Sequence, residues 1–137
     1  MPTIIRNVLV LLSATAAAYL FMSLFLTLAF HVFVAGRSMD GAWVNISLLE
    51  WFITAVVFTG LGYATCRFVI SRCTWLWALS FSALYNAIVL SSSHSDFSPE
   101  PTVTAYVFVY GGNLVVFAGA LLGAKLHMAA ARPPAVA

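Results

Sequence analysis

The chain has 137 residues, 63% of them hydrophobic and only 7% charged, with a formal net charge of +2. Soluble domains run about 45–50% apolar and about 25% charged, so an independent soluble domain is excluded, and intrinsic disorder needs the opposite balance. The six Lys and Arg are scattered singly, which gives no basic cluster for nucleic acid.

A membrane helix needs about 20 mostly apolar residues, and four segments qualify. The first runs from Val8 to Ala35. It opens like a signal peptide, with Arg6 and then small residues at Ala14–Ala18, but the apolar run continues through Leu20, Leu24 and Phe30. An uncleaved span is therefore expected. The second runs from Ala42 to Cys66, the third from Thr74 to Ser92 and the fourth from Val103 to Ala124. Gly36, Asp40 and Gly41 separate the first two, and Arg67 to Arg72 marks the next boundary. Ser91 to Pro101 is polar, and Pro99 and Pro101 forbid helix continuation. Residues 129–137 are rich in Ala and Pro and are expected to form a flexible tail. The expected fold is an all-α bundle of four transmembrane helices in a single domain, residues 1–137.

Orientation follows from Lys and Arg near the span ends. A cytoplasmic N-terminus puts Arg6, Arg67, Arg72, Lys125 and Arg132 inside and leaves Arg37 alone outside. Both termini are thus expected in the cytoplasm, and the expected location is a bacterial inner (plasma) membrane. Cys66 and Cys73 form no CxxC pair and on this topology face a reducing compartment.

Polar residues within the spans concentrate in the outer half. Tyr19, Ser23, Thr27 and His31 recur every fourth residue and form one stripe on the first helix. Ser47, Glu50 and Thr54 share a face of the second, below Trp43. Ser82, Tyr85 and Asn86 cluster on the third, and Tyr106, Tyr110 and Asn113 on the fourth. Hydroxyls in membrane helices commonly bond to backbone. An amide is a stronger signal, because lipid cannot satisfy it, although Asn86 and Asn113 could simply bridge helices.

Glu50 is the sharpest feature. A carboxylate within a span costs roughly 2.5–3.5 kcal/mol on insertion scales, so it should face protein or water and find a partner. His31 is the candidate partner, directly or through water. The roles weighed for Glu50 are structural hydrogen bonding, recognition of another subunit, and coupling to an ion or substrate. The binding or coupling candidates are Glu50, His31, Asn86, Asn113, Tyr85, Tyr110, Ser47 and Thr54.

The inner half carries small residues instead: Ala14, Ala16, Ala17 and Ala18, then Gly60, Gly62 and Ala64, and Gly119 with Gly123 on the fourth helix, where Gly112, Gly119 and Gly123 fall on nearly one face. Gly119 and Gly123 make a GxxxG pattern, which lets helix backbones approach closely. Packing within the chain is favoured over a dimer contact.

Other chemistries lack their residues. Haem would need axial ligands around one cavity, and His31 and His94 lie on different segments. His94, Asp96 and Glu100 read as a solvated loop rather than a metal site. Ser91 to Asp96 contains no nucleophile elbow. Small four-helix exporters of cationic drugs carry their carboxylate in the first helix. Here Glu50 lies in the second and the first has no acid, so that pattern is not matched. No cofactor, metal or catalytic residue is expected. The leading expectation is a non-enzymatic accessory, assembly or immunity-type subunit that binds a protein partner through its outer polar face. The alternative is a small homo-oligomeric transporter or channel in which Glu50 couples to protons or a cation.

Overall fold

The computed structural model describes residues 2–34, 39–71, 73–93 and 103–131. Four helices follow one another: α1 (Thr3–Val34), α2 (Met39–Phe68), α3 (Thr74–Ser93) and α4 (Val103–Ala130). No strand occurs among the described residues. Each helix contains a stretch long and apolar enough to cross a membrane: Thr3–Ala29, Leu48–Phe68, Thr74–Ser91 and Tyr110–Ala130. A helix suits such a chain because it satisfies every backbone N–H and C=O internally, where lipid offers no partner.

Two helices run five or six residues past the expected span ends. Helix α1 begins at Thr3, ahead of Val8, and α4 continues past Ala124 to Ala130. The apolar pattern fades at Lys125, but nothing between there and Ala130 breaks a helix. The next Pro comes at 133. Of the tail expected at 129–137, Ala129 and Ala130 are therefore helical, and residues 132–137 lie outside the described residues.

The core takes residues from every helix: Ala18 and Met22, Phe58 and Cys66, Ala78, Phe81 and Tyr85, Val116, Ala120 and Ala124. Phe58 stacks on Phe81 at 5.2 Å between centroids and meets Tyr85 edge-on at 4.7 Å. The α2–α4 contact is the most extensive, while the α1 backbone comes close to those of α2 and α3 but not to that of α4 among the described residues. Large apolar side chains such as Leu20, Leu24, Leu28 and Val32 on α1 and Phe52 and Val56 on α2 point away from the bundle. That distribution fits an apolar solvent.

Glycines explain why α2 and α4 lie so close. They run parallel: Gly111 meets Trp51, Gly119 meets Ala55 and Phe58, and Gly123 meets Thr59 and Tyr63. A Cβ on Gly123 would collide with the Thr59 carbonyl oxygen and the Tyr63 nitrogen. One on Gly62 would stand 2.5 Å from the Ala120 carbonyl oxygen. The GxxxG pattern is thus used inside the chain. Gly60 is different, with nothing within 4 Å of a Cβ; it is exposed on the outside of the bundle.

The same end of the bundle is closed by a polar clamp. Asn7 is 4% exposed. Its Nδ2 donates to the Ile70 carbonyl at 3.1 Å and its Oδ1 accepts from the Ile70 N–H at 3.0 Å. One side chain thereby satisfies both backbone groups of a residue in the α2–α3 turn, where no helix can, and ties the start of α1 to that turn.

Candidate functional site

At the opposite end the helices part around a cavity of about 280 Å³. All four contribute. Helix α1 supplies Met22 and Leu26, and α2 supplies Glu50, Trp51 and Thr54. Tyr85 and Val89 come from α3, and Gly112, Asn113 and Val116 from α4. The floor is the aromatic cluster of Phe58, Phe81 and Tyr85, since Tyr85 belongs to both.

Of the residues singled out in the sequence, Glu50, Thr54, Tyr85 and Asn113 are therefore brought to one place. They arrive there because Glu50 and Thr54 are one helical turn apart on α2, and because α3 and α4 each turn one polar residue into the cavity. Thr54 is 4% exposed and its hydroxyl points at the Met22 sulfur, 4.0 Å away on α1. Asn86 lies behind the wall rather than in it. It is 5% exposed, and its Nδ2 donates to the Asn113 carbonyl at 3.4 Å, linking α3 to α4 beside the cavity. Its Oδ1 is buried without a partner among the described residues.

The remaining candidates lie elsewhere. His31 does not line the cavity with Glu50. It is exposed, and its Nδ1 donates to the Thr27 carbonyl at 2.8 Å. The residues above it on the stripe behave alike: Tyr19 and Ser23 are exposed, and the exposed Thr27 hydroxyl donates to Ser23 O at 2.8 Å. Ser23, Thr27 and His31 therefore face away from the bundle, while Tyr19, 42% exposed, stands at its flank within electrostatic reach of Tyr85. Tyr110 is 55% exposed. The side chains of Ser47, Trp43 and Tyr106 lie outside the described residues, as do His94, Asp96 and Glu100. Ser82 is buried, but its hydroxyl bonds the Ala78 carbonyl of its own helix at 2.8 Å. Cys66 is buried, Cys73 exposed, and both are free thiols.

Sequence reasoning missed Trp51. Its signal was the pair Gly111-Gly112 on α4, which makes room for an indole. A Cβ on Gly111 would lie 2.5 Å from Trp51 Cζ2, and one on Gly112 3.6 Å from its Nε1. Gly112 thus meets a ring at the cavity wall, whereas Gly119 and Gly123 meet backbone. Among the described residues no group of three or more His, Cys, Asp or Glu could hold a metal ion. No family model matches the chain, and neither curated proteins nor solved structures match it.

Proposed function

We propose that the cavity is the functional site of a small multi-pass membrane protein and that it takes a cation, with Glu50 as the coupling residue. The observation that supports this reading is a carboxylate lining a four-helix cavity together with an indole, a phenol and two neutral polar side chains. A carboxylate inside a span marks an ion or substrate path by default. The faces of Trp and Tyr attract cations, the more so when desolvated. A bound cation would compensate the Glu50 charge, while Thr54 and Asn113 would offer oxygen ligands. We place this end on the outer side of a bacterial inner membrane, with both termini in the cytoplasm, from the distribution of Lys and Arg. The activity is transport or gating, without catalysis, and so short a chain would perform it as a homo-oligomer.

A second reading is favoured by the α1 stripe. Tyr19, Ser23, Thr27 and His31 are exposed on a helix surrounded otherwise by outward-facing leucines, and polar groups in a span normally face protein. An accessory or immunity-type subunit would dock its partner there.

Calorimetric titration with tetraethylammonium separates the two. A cation site predicts saturable binding that falls at least tenfold in Glu50→Gln and is unchanged in His31→Ala. A docking subunit predicts no binding, and loss of a co-purifying protein in His31→Ala.

A further inference from the structure

A second concavity, of about 390 Å³, runs along the outside of the bundle between α1 and α2, at the end opposite Glu50. It is cut by small residues: Ala14 and Ala17 on α1 face Ala64 on α2. Its walls are otherwise mostly apolar, and Arg6 stands at its outer limit on α1. Two features of this groove are not explained by packing. One is Arg6 itself, an exposed cation in the first turn of a span. The only acid among the described side chains, Glu50, is at the other end of the molecule. The other is Thr65, which lines the groove, is 1% exposed, and whose Oγ1 has no hydrogen-bond partner among the described residues. Other helical hydroxyls here bond back to their own helix: Thr15 to Leu11, Thr59 to Ala55, Ser80 to Leu76. That is the usual resolution, and Thr65 lacks it.

The dimensions match a lipid. Arg6 and Ala17 are eleven residues apart, which is about 16 Å along a helix at 1.5 Å per residue. One leaflet of hydrocarbon is about 15 Å thick, half of about 30 Å. Helix α2 runs antiparallel here, with Phe68 near Arg6 and Leu61 deeper. Thr65 therefore sits about one helical turn, roughly 5 Å, below the Phe68 level. That is the depth of the glycerol esters when a phosphate is held at Arg6. We infer that this groove is a specific site for an anionic phospholipid: one acyl chain lies over Ala14, Ala17 and Ala64, the phosphate pairs with Arg6, and the buried Thr65 hydroxyl turns outward to donate to an ester carbonyl. Charge complementarity selects the anionic headgroup, as basic sites between membrane helices do generally. The inference is independent of what the Glu50 cavity binds.

Native mass spectrometry of the full chain released from detergent micelles tests it, with dioleoyl phosphatidylglycerol and dioleoyl phosphatidylcholine added at equal concentration. Wild type should retain one phosphatidylglycerol in preference to phosphatidylcholine. Arg6→Gln should lower that retention at least fivefold and abolish the preference. Thr65→Val, which keeps the shape, should lower it two- to fivefold. Ala17→Phe should fill the groove and abolish retention of both lipids. Arg6 and Ala17 are exposed, so neither change disturbs the core, and helicity by circular dichroism should match wild type. Lys125→Gln, an exposed cation on α4, should change nothing. Equal retention of the two lipids by wild type, wild-type retention in Arg6→Gln or Ala17→Phe, or equal losses in Lys125→Gln and Arg6→Gln would each overturn the site.

Discussion

The two ends of this bundle solve the same problem in opposite ways. At the Asn7 end, Gly62, Gly119 and Gly123 remove side chains so that α2 and α4 touch backbone to backbone. Every polar group of the Asn7 amide finds a partner in the Ile70 backbone. At the Glu50 end the helices stand apart, and polar side chains from α2, α3 and α4 face a shared space. Membrane helices gain little from the hydrophobic effect between themselves and depend on close packing instead. Stability is therefore expected to concentrate where the glycines are.

This contrast is broken most sharply at Gly123. Gly123→Leu places atoms where the Thr59 and Tyr63 backbones already lie, and backbone cannot move aside as a side chain end can. Destabilisation of about 3 kcal/mol is expected, at the upper end of overpacking costs, read from unfolding in denaturing detergent. Gly60→Leu is the internal control. It adds the same side chain two residues from Gly62, into open space, and should change stability by less than about 0.5 kcal/mol. Equal costs at the two positions would mean that the α2–α4 contact is not the stabilising one.

Asn7→Leu comes next. It strands the Ile70 N–H and C=O, and a buried unsatisfied group costs about 1–3 kcal/mol. The same unfolding assay should show it, with earlier proteolysis in the 69–73 turn. A smaller cost than that of Asn7→Leu is expected at the other end. Val116→Leu adds one methylene at the wall of the 280 Å³ cavity, where there is room, so under about 1 kcal/mol is expected. Tetraethylammonium binding should nevertheless weaken, because the added group takes volume from the site.

Composition and span length were enough to read four apolar helices, because lipid leaves a chain of this hydropathy few alternatives. Depth was legible as well: Glu50, Tyr85 and Asn113 lie 11, 8 and 10 residues in from the helix ends on the same side, and Thr54 lies one turn deeper. Rotation was not legible. A helix buried in lipid is apolar all round, so periodicity does not say which side faces protein. The α1 stripe cannot be told from a cavity wall for that reason, and His31, the candidate partner of Glu50 directly or through water, faces outward. Gly60 and Gly62 look alike in sequence, yet only the second meets a neighbour. The Asn7 clamp was missed because its partner is backbone 63 residues away, which no local pattern announces.

The account turns on whether the Glu50 end is an open, cation-attracting cavity. Thr54 lines it beside Glu50 and makes only a long contact to the Met22 sulfur, so Thr54→Cys on a Cys66→Ser, Cys73→Ser background places a thiol inside at little cost. Its rate of reaction would be measured with a cationic and an anionic methanethiosulfonate of similar size. Faster modification by the cationic reagent is predicted, with the preference abolished by Glu50→Gln. Failure of both reagents to react, or a preference that survives Glu50→Gln, would contradict it.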